Sequence, residues 1–169
     1  VAGGHLKEIG TTYWDTPNTG ATNEVNYNLR GSGRRSGIDG LFGALKDIGD
    51  IWSSDEYTLD PSKGRYAQLG ASNLESSSTN IVAEKDAGKA IRLIKDSTTL
   101  LEGETGTYIG NDGKVYRTIC IGTQEWLADN LNETKYRTGD AITIVTDAGD
   151  WAALVTGAMC YYDNDSSNA

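Results

Sequence analysis

The amino-acid sequence predicts an α+β protein that is mostly β, with few short helices and long loops. The strand signal comes from short apolar runs bounded by Gly, Asp and Lys, of which residues 90–94 and 141–145 are the clearest. Patterns typical of helices are scarce, whereas 21 Gly are spread along the 169 residues. Because Gly is favoured in tight turns, this composition indicates short strands joined by turn-rich loops.

Local patterns predict two helices and one hairpin. Leu41 to Ile48 and Asp147 to Val155 have the composition of two-turn helices, the second with Asp147 or Asp150 as its N-cap. A Gly-Asn-Asp-Gly turn lies between two β-rich flanks at 108–116, which predicts a β-hairpin. In the strand after this turn, alternation assigns the residues to two faces, namely Val115, Ile119 and Ile121 on one face and Tyr116, Thr118 and Cys120 on the other.

The chain is acidic, and the acidity is uneven. Fifteen Lys+Arg stand against 24 Asp+Glu, for a net charge of −9, which disfavours a nucleic-acid partner. Residues 101–169 hold four of the basic and eleven of the acidic residues, so the charge indicates two segments of different character. The polar stretch 97–107 is the predicted linker between them. No apolar run approaches the roughly 20 residues of a membrane-spanning helix.

Two arginines and two tyrosines are the candidate ligand-binding residues. The stretch 31–37 has glycines spaced almost as in a dinucleotide-binding loop, but the third Gly comes one residue late and no apolar strand precedes it. We interpret this stretch as a loop with Arg34 and Arg35 exposed, where a phosphate or a glycan carboxylate would find a partner. Tyr161 and Tyr162 suit carbohydrate stacking and protein interfaces, because each ring carries a polar tip.

The C-terminal stretch also suggests a calcium loop. Asp163 and Asp165 alternate with Asn164 and Ser166, which supplies oxygen ligands at every position. The Gly and the distal Glu of an EF-hand are missing, so an ordinary turn is the alternative interpretation.

Cysteines and bulky aromatic residues complete the candidates. Cys120 and Cys160 are too far apart in the chain for a redox pair, which leaves an inter-strand disulfide or two separate buried thiols.

No nucleophile–base pair can be named, so we predict that the protein is not an enzyme. The predicted core residues are the following four: Trp52, Tyr116, Trp126 and Trp151.

Several motifs together resemble one bacterial family. Residues 110–116 (GNDGKVY) and 121–131 (IGTQEWLADNL) resemble the opening of the Fibrobacter succinogenes major paralogous domain (FISUMP). That opening has a hairpin with D-G-N/K-x-Y, followed by I-G-x-Q-x-W-x-x-x-N-L. Four earlier stretches resemble the family's closing half: 2–8, 14–24, 51–57 and 88–96.

This resemblance implies a fold and a domain organisation. The fold would be C-type-lectin-like, with a twisted antiparallel sheet, few short helices and long loops. Residues 1–96 would be the closing half of a FISUMP module, 97–107 a linker and 108–169 the opening half. The halves thus stand in inverted order, and the family's middle stretch with its G-W-H-V-P motif is absent. The family often has a Cys where this chain has Leu93, so Cys120 is the remaining candidate partner for Cys160.

The resemblance also implies a secreted or surface-anchored bacterial protein. We expect a non-enzymatic structural or adhesion module, whose partners are copies of itself, neighbouring identical modules or glycans. The inverted order leaves three alternatives, which are a permuted domain, an excerpt of a tandem array, and a head-to-tail filament completed by strand exchange. The Val1 start favours the last two. The other functional alternatives are a lectin-like carbohydrate-binding domain, with or without calcium, and a phage receptor-binding domain.

Overall fold

The computed structural model describes residues 2–73 and 81–168. It is mostly β, with 35% strand and 9% helix, which confirms the coarse fold prediction. The two helices are α1 (Ala2–Leu6) and α2 (Ala148–Ala152), and two 3₁₀ turns follow at Tyr162–Asn164 and Ser166–Asn168. The strands are β1 (Ser32–Arg35), β2 (Phe42–Leu45), β3 (Ile48–Glu56), β4 (Lys63–Gly70), β5 (Val82–Glu84), β6 (Ile94–Lys95), β7 (Thr105–Ile109), β8 (Val115–Ile121), β9 (Gln124–Leu127), β10 (Thr143–Ile144) and β11 (Ala158–Met159).

The first sheet has five strands in the order β2-β1-β3-β4-β5. It is mixed, because β1 runs parallel to β3 while the other pairs are antiparallel. The predicted helix at Leu41 to Ile48 is wrong, since this stretch forms β2, a turn and the start of β3. Ala44 and Lys46 have φ angles of 60° and 63°, which no α-helix accommodates, and β2 finds its hydrogen bonds on β1 instead.

The second sheet is antiparallel, in the order β6-β9-β8-β7. The predicted hairpin is present, with Tyr108 opposite Tyr116 and Gly113 at a φ of 89° in the turn. Strand β7 begins at Thr105, so the predicted linker 97–107 is partly strand. In β8, Tyr116, Thr118 and Cys120 of one predicted face are buried. Ile119 of the other predicted face is buried as well, and it pairs with Trp126 in the middle of the sheet.

The remaining elements are shorter than predicted. Of the apolar run 90–94, only Ile94 enters a strand, and Ala90 makes a single parallel bridge to Ile51. The predicted N-cap of α2 is confirmed, because the Asp147 carboxylate accepts a hydrogen bond of 2.9 Å from the Asp150 amide. This helix ends at Ala152, before the predicted Val155.

One hydrophobic core unites the two segments that the charge distribution separates. Its buried members come from both segments: Trp14, Tyr27, Leu29, Leu69, Ala71, Ile119 and Ala128. Of the predicted core residues, Tyr116 and Trp151 are buried, whereas Trp52 and Trp126 are only half-buried. Trp14, which the sequence did not single out, lies at the centre and donates from its indole nitrogen to the Leu29 carbonyl at 2.9 Å.

Arg92 also fastens the two segments together. Its guanidinium is buried and bonds to the carbonyls of Tyr27 and Asn28 on one side and to that of Leu127 and the Asn130 side chain on the other. Next to it, β6 pairs with β9, so that Ile94 stands opposite Trp126. The closing strand of the first segment is therefore completed by the second segment of the same chain.

Candidate functional site

An open cleft of about 640 Å³ lies where the two segments meet, and we call it the seam cleft. Its walls come from β1, β2 and β3, from residues 85–91, from 130–133, and from α2 with the C-terminal stretch. Six aromatic side chains line it: Phe42, Trp52, Tyr136, Trp151, Tyr161 and Tyr162. A volume of this size is within the range of small-molecule sites, which run from about 300 to 1,000 Å³.

The expectation that Arg35 is exposed is wrong. Arg35 lies in β1, is 2% exposed, and is sandwiched between the rings of Phe42 and Trp151 at 4.6 and 4.4 Å. Its guanidinium donates to four backbone carbonyls, at 2.6 to 3.1 Å, namely those of Gly40, Val145, Thr146 and Asp147. Because these bonds occupy all three guanidinium nitrogens, Arg35 holds the wall of the cleft together and has little left to offer a ligand.

Arg34, by contrast, is exposed at the mouth of the seam cleft. Strand geometry explains the difference, since successive side chains point to opposite faces. Within residues 2–73 and 81–168, Arg34 forms neither an ion pair nor a side-chain hydrogen bond. Its guanidinium is thus available to an anionic group that enters the cleft.

Lys89 and Asp50 form a buried ion pair in the wall of the cleft. Lys89 Nζ lies 2.6 Å from Asp50 Oδ2, and the two side chains are 2% and 0% exposed. The amine also lies 3.8 Å from the centre of the Tyr66 ring, and Gln68 donates to Asp50 Oδ1 at 2.8 Å. Burial lowers the pKa of Lys89, and the positive charge of Arg34 lowers it further. The hydrogen bond to Asp50 and the negative charge of Asp50 raise the pKa of Lys89, against these two effects.

Tyr161 and Tyr162 line the cleft as half-buried side chains. The Tyr162 ring packs on Phe42 with a centroid distance of 5.2 Å. It also lies against Gly33, where a Cβ would come within 2.7 Å of the ring and where φ is 64°. A glycine is required at this position, because both the close packing and the positive φ exclude a side chain. Tyr161 has no such ring partner among the aromatic contacts of the described residues.

The proposed calcium residues lie in a turn at the surface. Asp163 is exposed, with a φ of 51°, and the next residue, Asn164, donates to the Thr146 carbonyl at 3.0 Å. Asp165 accepts from the Ser167 amide at 2.9 Å, and this backbone hydrogen bond lowers the pKa of Asp165. In the part of the chain that the structure describes, no three or more His, Cys, Asp or Glu side chains form a group that could hold a metal ion.

Of the two alternatives for the cysteines, the structure has separate thiols and no disulfide, because Cys120 and Cys160 are both free. Cys120 is buried in β8, where its sulfur lies 3.4 Å from the Leu100 carbonyl. Cys160 lines the seam cleft and interacts with Arg35. Burial raises the pKa of both thiols. The two cysteines thus belong to different parts of the fold.

Three residues of the seam cleft were not anticipated from the sequence. The sequence predicts a helix at Phe42, Lys89 stands as an ordinary polar flank of an apolar run, and Asp86 lies in a stretch without a motif. In the sequence, Lys89 is a single lysine next to a strand-like segment, and lysines at such positions are common in surface strands. No local pattern distinguishes such a lysine from a buried one.

Comparisons of the chain with protein-family models, curated proteins and solved structures find no match. The resemblance to the FISUMP domain therefore stays a prediction. In residues 2–73 and 81–168, no helix has both the length and the apolar character needed to cross a membrane.

Proposed function

We propose that this chain is a non-enzymatic extracellular adhesion module that binds a glycan in the seam cleft. The observation that carries the proposal is the combination of aromatic side chains along the cleft with an exposed cation, Arg34, at its mouth. Aromatic rings stack on the apolar faces of sugars, and Tyr and Trp add a polar tip for their hydroxyls. A guanidinium binds a carboxylate through two parallel hydrogen bonds, which favours glycans that contain uronic acids.

The overall charge of −9 does not oppose this ligand strongly. Exposed charges farther apart than about 8 Å are largely screened at physiological ionic strength. Most of the net negative charge, −7 of −9, lies in residues 101–169, whereas Arg34 in the cleft lining belongs to the nearly balanced first segment. The lining also holds two carboxylates, Asp86 and Glu133, and its lysines Lys85 and Lys89 are ion-paired. Among the described residues of the cleft, Arg34 is therefore the basic side chain that is left for an anionic ligand.

The contacts between the two segments support a permuted monomeric domain over a strand-exchanged filament. β6 pairs with β9, and Arg92 bonds to both segments within one chain. A second subunit is therefore not needed to complete the four-stranded sheet. The monomer is the proposed adhesive unit, and filaments in purified material would contradict this part of the proposal.

Binding is tested by calorimetric titration with an oligogalacturonate and with a cello-oligosaccharide of the same length. We expect the uronate to bind more tightly and Arg34→Ala to weaken it about 10- to 100-fold, because a charge-assisted hydrogen bond contributes about 1.5–3 kcal/mol. The matched control is Arg137→Ala, since Arg137 is exposed and lies outside the cleft. If both variants weakened oligogalacturonate binding equally, Arg34 would contribute only through its general positive charge and not through a specific contact in the cleft.

The stacking contribution needs its own variant. Tyr161→Ala removes a half-buried ring from the cleft, and Tyr13→Ala removes a partly exposed ring elsewhere. We expect only the first change to weaken binding of either oligosaccharide.

Binding in EDTA should be unchanged, because Asp163 and Asp165 are not needed. Loss of binding in EDTA would favour the calcium-dependent lectin instead.

A further inference from the structure

Strand β3 and the segment after β5 bring Lys89 and Asp50 together in a fixed position. The amide of Ala90 donates to the Asp50 carbonyl at 3.1 Å, and the amide of Trp52 donates to the Ala90 carbonyl at 3.0 Å. These two backbone bonds hold residue 89 beside residue 50, so the close approach of the side chains does not depend on the flexible lysine stem alone. Nζ and Oδ2 are 2.6 Å apart.

The surroundings of this pair disfavour its charged form. Both side chains are removed from water, and the rings of Tyr66 and Trp52 lie 3.8 and 5.5 Å from Nζ. A buried ion pair recovers its desolvation cost only with ideal geometry and further hydrogen bonds. Asp50 Oδ1 accepts one such bond, from Gln68 Nε2 at 2.8 Å. A neutral amine beside a neutral carboxylic acid avoids this cost.

We propose that Lys89 and Asp50 become joined by an intramolecular amide bond after the chain has folded. A proton first passes from Nζ to Oδ2, which leaves a neutral amine and a neutral acid. The lone pair of Nζ then attacks Cγ, so that the Nζ–Cγ bond forms and the Cγ–Oδ2 bond breaks. A second proton moves from Nζ to Oδ2, which leaves as water. The step needs no oxidant, reductant or further reactant.

The fold contributes proximity and one stabilising donor to this reaction. Holding the two groups in contact makes the condensation intramolecular, which is the largest general source of rate for such reactions. Gln68 Nε2 donates to Oδ1, the oxygen that is retained, and the same donor faces the negative charge that develops there during the attack. The product amide keeps this hydrogen bond and removes both buried charges.

The bond would close a loop from residue 50 to residue 89 and tie the middle of the five-stranded sheet to the wall of the seam cleft. A covalent link of this kind limits the unfolded chain, as a disulfide does. It would be of use to an adhesion module under load, although the inference rests on the geometry of the pair and not on the proposed function.

The test is the mass of the intact purified chain in denaturing solvent. We expect it to be lower than the sequence mass by one water, and fragmentation to join the peptides that contain Asp50 and Lys89. In Asp50→Asn the leaving group is ammonia, so the deficit against its own sequence mass should become one ammonia. Lys85→Arg alters an exposed lysine near the cleft and should leave the loss of water intact.

Lys89→Arg keeps the positive charge and cannot form the same bond, so it should have the full sequence mass and a lower unfolding temperature. If this variant does not fold, the intact mass of the unaltered chain still decides whether the amide bond forms. A full sequence mass after prolonged incubation of the folded, unaltered protein would overturn the proposal. A water deficit that maps to any other pair of residues would overturn it as well.

Discussion

Arg34 and Arg35 are neighbours in the sequence and have opposite environments in the fold. The Gly-rich stretch around them predicts an exposed loop, and both arginines look equivalent in such a loop. In β1 they point to opposite faces, so that Arg34 is exposed and Arg35 is buried among backbone carbonyls. The sequence could not predict this, because three of the four carbonyls that receive Arg35 belong to residues 110 to 112 positions away.

Replacing Arg35 with Lys should destabilise the protein by about 2–4 kcal/mol. A lysine carries one nitrogen with three donors and cannot reproduce the planar fork, so some of the four carbonyls would lose their partners in a buried site. The free energy of unfolding in urea measures the effect. Arg34→Lys is the control and should stay within about 0.5 kcal/mol of the unaltered protein. A small effect at both positions would contradict the role given to Arg35.

At the scale of elements, sequence patterns correctly predicted the turns and helix caps that depend on interactions between neighbouring residues. The turn at 110–113 and the Asp147 N-cap were both visible in the sequence, because each depends on residues only a few positions apart. The helix expected at 41–48 failed for the opposite reason. Its residues are paired with β1, and the positive φ at Ala44 and Lys46 is imposed by that pairing and by the turn.

The hairpin between β7 and β8 should lose stability in acid through Asp112. Burial raises the pKa of Asp112, but hydrogen bonds from Lys114 and Thr134 outweigh it and hold the pKa well below its ordinary value. A group with a depressed folded-state pKa stabilises the fold above its unfolded-state pKa, which is about 3.9 for Asp. This stability is lost progressively as the pH falls below that value.

Asp112→Asn should therefore lower the free energy of unfolding at pH 7 by about 1–3 kcal/mol and flatten its decline below pH 4. Urea unfolding followed across this pH range measures both effects. Asp55→Asn changes an exposed carboxylate and should leave the acid profile as it is. An unchanged profile in Asp112→Asn would show that other carboxylates control the acid transition.

At the scale of the whole molecule, the two segments depend on each other. The charge distribution and the motifs divide the chain near residues 97–107, yet the core, the β6–β9 pairing and the Arg92 contacts all cross this division. The division is a prediction from composition, which counts charges along the chain and carries no information on contacts. The contacts across it could not be predicted, since they join residues distant in the chain.

Separate peptides 1–96 and 97–169 should each be largely unfolded and should acquire structure on mixing. Trp14 and Ile119 are fully buried in one core whose members come from both segments, so we expect each segment alone to expose part of that core to water. Circular dichroism of each peptide and of the equimolar mixture measures this. Cooperative unfolding of either peptide alone would contradict the single shared core.

The central claim is that the seam cleft binds a glycan, and NMR mapping of bound oligogalacturonate tests it most directly. Titration into the isotopically labelled chain should shift the signals of Arg34, the Trp52 indole and Tyr161, while signals of exposed residues outside the lining, such as Glu104, stay in place. Shifts confined to residues outside the cleft, or no shift with either oligogalacturonate or cello-oligosaccharide at millimolar concentration, would contradict the claim.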